Sequence, residues 1–437
     1  MSVHPVDAER RPCSLSSATA PVARGQSAAG SDALRSGAPL AHGGDRALRL
    51  VQMSHARLAA SLRDARMRGE GFDRAFPGAL GAVCIGGATG LRDESYAESQ
   101  DGSHADAAAR MLADAAPDLP VAPVQMALLG AGVAPDDAVW EIWQCNARDL
   151  RSERRGALHY RYSEAAGLVF GSIVVQEAPG AQHDGGTPLE RATEDAYRAL
   201  FDVLDTLGMP HPLRIWNTVP AINAVQFGIE RYRQFNIGRQ HAFDACRRAL
   251  TGGVPAACAL GAVVPVAGDA SPAAPLAIHF LASRAPADPV ENPRQVSAYH
   301  YPAQYGPRAP TFARAAAWAD RDAAPVLFVS GTASIVGHRT VHHGDVVAQT
   351  RETVANLAAV LEQAARQGHG PFSLADLSYR VYVRDAGDAA ALAEIGRVLR
   401  DAAGPGVRPL FVHADVCRDD LLVEIEASAG HTVEWLS

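Results

Sequence analysis

Apolar positions recur along this chain in two alternating periods, and the same succession of periods occurs twice. Leu168-Val-Phe-Gly-Ser-Ile-Val-Val175 is a short, continuous β-branched run, the signature of a buried strand. Apolar residues then fall at helical spacing over 190–207, a second strand pattern follows over 213–218, a second helix over 229–250, and two more strands over 256–266 and 276–282. The second round begins with a strand over 326–330 and a Gly/Ser/His loop. It continues with a helix over 345–367 that carries Val346, Thr350, Val354, Leu357 and Leu361 at steps of three and four. A strand over 378–383, a helix over 388–403 and a pair of strand-like runs over 408–428, joined by a charged turn that reads as a hairpin, complete it.

The last strands of the two rounds align without a gap: 275–283 lies over 420–428, which puts His279 in the place of Glu424. A strand-helix-strand-helix-strand-strand unit used twice predicts an α+β architecture, with helices on one face of each mixed sheet and the two copies packed pseudo-symmetrically. The intervening 284–324 is too long for a plain connector and reads as a functional insertion. Residues 1 to 45 are Ala, Ser, Gly, Pro and Arg with almost no aromatic or β-branched side chains, so they cannot bury enough surface to repay ordering. The expected division is a disordered tail over 1–75, an N-terminal unit over 76–285, an inserted substrate-binding segment over 286–325 and a C-terminal catalytic unit over 326–437.

Composition narrows the class. A chain of 437 residues, 48% hydrophobic and 20% charged, is a soluble globular protein of two to three domains. A net charge of -8 argues against a nucleic-acid or anionic-membrane partner, so an anionic ligand must be held by specific arginines. No apolar run reaches the roughly 18 residues a membrane span needs. The cysteines, Cys13, Cys84, Cys145, Cys246, Cys258 and Cys417, are scattered without C-x-x-C or zinc-type spacing, which points to a reducing cytoplasm and to neither a disulfide framework nor a metal site. A repeat that pairs internally predicts a monomer or a weak homo-oligomer.

Within the last run, strand alternation sends Leu422, Glu424 and Glu426 to one face. On an edge strand both carboxylates are merely solvated. On a covered face, as the apolar strand of the first copy suggests, a carboxyl holds its proton near neutral pH and serves as a general acid, Glu424 being the more central of the two. Cys417, beside Arg418, is either a small core hydrophobe or a thiol tuned by that guanidinium. The basic residues Arg231, Arg233 and Arg239 do not share one helical face, so at least one points inward. Residues 295–314 pack three tyrosines, two arginines and three prolines into twenty positions, a rigid loop of phenol and guanidinium donors suited to a carboxylate ligand. The strand-end loop Ser330-Gly-Thr-Ala-Ser334 is an anion cradle or an ordinary turn.

These blocks together resemble the chorismatase family, and each repeat resembles the small YjgF/RidA fold. The matching motifs are 214–223 (Arg-Ile-Trp-Asn-Thr-Val-Pro-Ala-Ile-Asn), 230–239 (Glu-Arg-Tyr-Arg-Gln-Phe-Asn-Ile-Gly-Arg), the loop 295–314, 328–338, and Ala414-Asp-Val-Cys-Arg-Asp-Asp-Leu-Leu-Val-Glu-Ile-Glu426. They span about 125–430 and leave the first hundred residues uncovered. The resemblance implies removal of pyruvate from chorismate without a cofactor. It makes Glu424 the general acid and Cys417 the mark of a hydroxybenzoate-forming branch, giving 3-hydroxybenzoate alone or with 4-hydroxybenzoate, whereas the hydrolysing branch carries Ala there. Substrate binding falls to Tyr232 and Arg239, to Tyr299, Tyr305, Arg308 and Arg314, and to Ser330 and Gly331. The chain departs from RidA deaminases, whose carboxylate-binding arginine has only the nearby Arg408 as a counterpart. Some family members have been described as pteridine-dependent oxygenases, yet no metal or pterin constellation is visible. An imine deaminase or a non-catalytic metabolite-binding module is the competing reading.

Overall fold

Leu48, Leu50, Val51 and Met53 are buried in β1 (Leu48–Ser54), a strand in the stretch that composition assigns to a tail. The computed structural model describes residues 47–86, 112–130, 138–178, 186–264, 274–320 and 323–437, with 268, 270 and 272. The expected tail is therefore corrected over 47–75, while its remainder lies outside the described residues. A short run of strand formers is diluted in the average composition of its surroundings. Ser54 ends β1 and caps α1 (His55–Met67), accepting from the Arg57 backbone N–H at 3.2 Å. With β2 (Ala79–Gly86), β3 (Val121–Val124) and β4 (Ala138–Cys145), β1 forms a sheet in the order β1-β4-β2-β3, and the chain's last strand, Thr432–Leu436, adds to its edge parallel to β1. This N-terminal sheet has no counterpart in the two-unit expectation.

Both copies of the repeat form. The first comprises β5 (Arg151–Arg155), β6 (Leu158–Ser163), β7 (Leu168–Val175), α2 (Pro188–Thr206), β8 (His211–Pro220), α3 (Arg231–Ala245), β9 (Ala256–Ala262) and β10 (Leu276–Ser283), with sheet order β9-β8-β10-β7-β6-β5. The second comprises β11 (Asp288–Val290), β12 (Ala315–Trp318), β13 (Val326–Ala333), α4 (Val346–Arg366), β14 (Ser378–Val383), α5 (Ala389–Ala403), β15 (Leu410–His413) and β16 (Val423–Ala429). Its order is β11-β12-β13-β16-β14-β15, with Leu128–Leu129 at the far edge. The core order β7-β10-β8-β9 reappears as β13-β16-β14-β15. The equivalence holds at the residue level too: His279 opposes Trp216 in one sheet as Glu424 opposes Tyr382 in the other.

The hairpin expected over 408–428 does not form. β14 lies between its two strands, parallel to β15 and antiparallel to β16. A strand that leaves α5 returns parallel to β14 by a crossover and takes the outer slot, so β16 must enter on the other side. Residues 414–422 thus cross the end of β14 instead of turning tightly.

Each sheet turns one face outward to its own helices, α1, then α2 and α3, then α4 and α5. The other faces meet in a shared core that includes Leu50 and Trp143, then Phe170 and Trp216, then Phe328 and Tyr382. The described residues form one compact unit around it. At its centre one charged cluster draws a side chain from every sheet: Glu141 of β4, Arg214 of β8, and Arg380 and Glu426 of the third sheet. Glu426 is bonded by Arg214 at 2.5 Å, by the Trp216 indole N–H at 3.1 Å and by Arg380 at 2.8 Å, and Arg380 also pairs with Glu141.

Candidate active site

Where the two copies meet, β9 of the first runs beside β13 of the second. Ser330 ties them, accepting from the Ala257 backbone N–H at 2.9 Å and donating to the Ala313 carbonyl at 2.5 Å. Its hydroxyl is thereby committed to the scaffold, and it does not line the cavity that opens next to it. The pairing of β13 with β16 slips between Val329 and Thr332, and Gly331 sits in that slip. A Cβ at Gly331 would lie 1.9 Å from Glu424 Oε1, so only glycine leaves the carboxyl its place. The result is a cavity of about 330 Å³, within the usual range of small-metabolite sites.

Glu424 faces this cavity while remaining 4% exposed. Burial, reinforced by the charge of Glu426, pushes its carboxyl up to about 8 against the opposing pull of Arg214, Cys417 and Arg314. Two residues along the strand, Glu426 goes the other way. Burial raises it, but Arg380 and Arg214 outweigh that and hold it below the ordinary carboxylate range. One strand face therefore carries a protonated acid and a fixed carboxylate, separated by what surrounds each.

Cys417 reaches Glu424 from the 414–422 crossover, with Sγ 3.9 Å from Oε2. With no hairpin to pair their strands, the two meet by this loop-to-strand approach. The sulfur faces the cavity rather than bulk solvent, and burial pushes the thiol up, with Glu424 adding to the rise and Arg418 failing to offset it. Cys417 is therefore a neutral thiol, not the lowered one an adjacent arginine suggests.

Arg239, Arg314 and Arg418 share the cavity lining with the acid and with Glu230, Asp419 and Asp420. Arg239 and Arg314, 2% and 4% exposed, form no ion pair with a carboxylate among the described residues, and the Nε of each lacks a partner. Arg239 donates to Asn236 Oδ1 at 2.8 Å, while Arg314 donates to the Val296 carbonyl and to Tyr301 Oη, both at 2.8 Å. Arg418 lies over the Tyr305 ring at 4.0 Å and the Tyr301 ring at 5.1 Å, and its Nη2 is also unpartnered. Buried guanidiniums with donors to spare suit a carboxylate-bearing ligand. Of the three helical arginines, Arg231 is consumed by a buried pair with Glu177 and Arg233 pairs with Glu230 at the rim, which leaves Arg239 to point inward.

Thus Tyr232, Arg239, Tyr305, Arg314, Gly331, Cys417 and Glu424 line one cavity. Tyr299 and Arg308 do not: the Tyr299 ring packs edge-on against His300 at 4.7 Å, and Arg308 is exposed. In a short rigid loop only one side faces the cavity, and the proline positions do not reveal which. Glu230, Tyr301, Phe312 and Arg418 also line it and were not singled out one by one, although each lies within or beside a motif the sequence marks. Cys258 carries no signal, being one apolar position in an apolar strand. Among the described residues no group of three or more His, Cys, Asp or Glu side chains is arranged to hold a metal ion. No helix among them is long and apolar enough to cross a membrane.

An acid kept neutral in a cavity lined by arginines with unpartnered nitrogens, at the seam of a duplicated α+β fold, is the geometry of a site for small anionic metabolites. Comparison with known proteins specifies it. The family model "Chorismatase FkbO/Hyg5-like, N-terminal" matches residues 141–282. A 3-hydroxybenzoate synthase of Streptomyces hygroscopicus is 41% identical over 297 residues, 65% of this chain and 80% of the relative. A chorismatase of Streptomyces rapamycinicus is 35% identical over 300 residues, 67% and 82% of the respective chains. A crystal structure of a chorismatase superposes over 90% of this chain and 96% of its own, with a TM-score of 0.62 and 27% identity. The chain belongs to the chorismatase family.

Proposed function

We propose that this protein is an enzyme that splits chorismate into pyruvate and 3-hydroxybenzoate, with Glu424 as the general acid. The observation that carries the reading is the neutral Glu424 carboxyl, held near 8 in a cavity whose buried Arg239 and Arg314 each keep an unpartnered Nε. Chorismate is a dicarboxylate with an enol ether whose terminal methylene is basic. The two arginines, with Arg418, hold the carboxylates and offset their charge. Glu424 delivers its proton to the methylene carbon and the ether carbon becomes an oxocarbenium ion. Its bond to the ring then breaks, so that the ether oxygen leaves as the keto oxygen of pyruvate. The neighbouring ring hydroxyl closes on the vacated ring carbon with its proton returning to Glu424, and reopening of that ring oxide with a hydrogen shift gives the aromatic product. Pyruvate and hydroxybenzoate together contain the atoms of chorismate, so no oxidant, reductant or net water is consumed. To Cys417, 3.9 Å from the acid, we assign the steering toward the aromatic product instead of the non-aromatic diene.

The test is to incubate purified protein with chorismate, assay pyruvate, and resolve the ring products by chromatography. Pyruvate with 3-hydroxybenzoate in equal amounts is the expected result. A protein stabilised by chorismate that releases no pyruvate is a binding module, and the reading fails.

A further inference from the structure

Arg384 is the first residue after β14 and lies outside the cavity lining, yet every nitrogen of its guanidinium is spent on the segment that carries Cys417 or on that segment's supports. Nε donates to the Leu421 carbonyl at 2.8 Å. Nη1 donates to Asp415 Oδ1 at 2.6 Å and to Asn223 Oδ1 at 3.1 Å, and Nη2 to the carbonyls of Val416 at 3.1 Å and Arg418 at 2.8 Å. Its backbone N–H donates to the Leu422 carbonyl at 3.0 Å. A crossover with no hairpin partner cannot satisfy these carbonyls within a sheet, and one planar fork gathers three of them. The far side of the segment is held by Gly261 of the first copy, which exchanges both backbone bonds with Asp415, at 2.7 and 3.0 Å. Asn223 in turn donates to Glu230, a cavity-lining residue, at 3.3 Å.

We propose that Arg384 is a positioning residue for the reaction: it fixes segment 415–422 so that the Cys417 thiol and the Arg418 guanidinium are presented to the acid in one geometry. A general supporting role would touch all functions alike. The bonds of Arg384 instead converge on the carbonyls either side of Cys417, at Val416 and Arg418. Losing them frees the thiol without removing any group that touches substrate. The consequence for products rests on the chorismate reading; the consequence for the thiol does not.

The experiment compares Arg384→Lys, which keeps the charge but not the fork, and Asp415→Asn, which weakens its strongest bond, with wild type. Labelling by N-ethylmaleimide is followed at Cys417 and at Cys145, a buried cysteine of the N-terminal sheet, by peptide mass spectrometry. Products from chorismate are resolved in parallel. The expected result is at least tenfold faster labelling of Cys417 with Cys145 unchanged, and a rise in the diene-to-hydroxybenzoate ratio in the direction of Cys417→Ala. Unchanged Cys417 labelling in both variants overturns the proposal, as does an equal rise at both cysteines, because either means that the segment is not what Arg384 holds. If wild type makes no pyruvate the functional reading falls, and the labelling still decides this one.

Discussion

Glu424 and Glu426 are the same residue type, two positions apart on one strand face, and their surroundings assign them opposite roles. Alternation along the strand was legible in the sequence; the arginines that separate them were not, because Arg214 comes from 212 residues away and Arg380 from a neighbouring strand. A pH profile follows from the raised acid. Glu424 holds its proton below about 8, so kcat/KM should be flat on the acid side of that value and fall about tenfold per pH unit above it. Folding stability carries the same sign: between the ordinary carboxylate range and about 8 the unfolded chain has lost a proton that the native state keeps, so stability declines as pH rises through that window. Cys417→Ala should keep pyruvate release while shifting ring product toward the diene; an unchanged product mixture, measured by chromatography, removes Cys417 from the mechanism. Arg239→Ala and Arg314→Ala each delete a charged donor of about 1.5–3 kcal/mol, which should raise KM roughly 10- to 100-fold in steady-state kinetics.

Helices and strands with a strong period were read to within a few residues, with Asp345 and Asp388 as the caps of α4 and α5. Two elements were not. β1 was lost in the composition of its neighbours, and the apparent hairpin over 408–428 failed because apolar runs around a charged turn specify strands but not which strand lies between them. That crossover is what brings Cys417 against Glu424. The slip in β13 is the other decisive element. Gly331→Ala places a methyl at 1.9 Å from the acid's oxygen, so it should abolish pyruvate release while circular dichroism and the melting transition stay near wild type. Full activity in that variant means that the carboxyl has room to move and that the slip does not set its position.

At the scale of the molecule, the duplication was legible and the N-terminal sheet was not, since its strands come from both ends of the described chain. The charged cluster that joins the three sheets is buried, so removing one member leaves charge on its partners without a counterpart. Glu426→Ala should cost about 3–5 kcal/mol, read as a lowered urea midpoint, because Arg214 and Arg380 lose their shared partner. By holding Glu426 charged, the cluster adds to the burial that keeps Glu424 protonated at the seam between the copies. The direct measurement is pyruvate release from chorismate by Glu424→Gln, with chorismate binding followed by calorimetry. The account predicts retained binding and a rate lowered roughly 100- to 10,000-fold. Undiminished pyruvate release by a folded Glu424→Gln protein would contradict it.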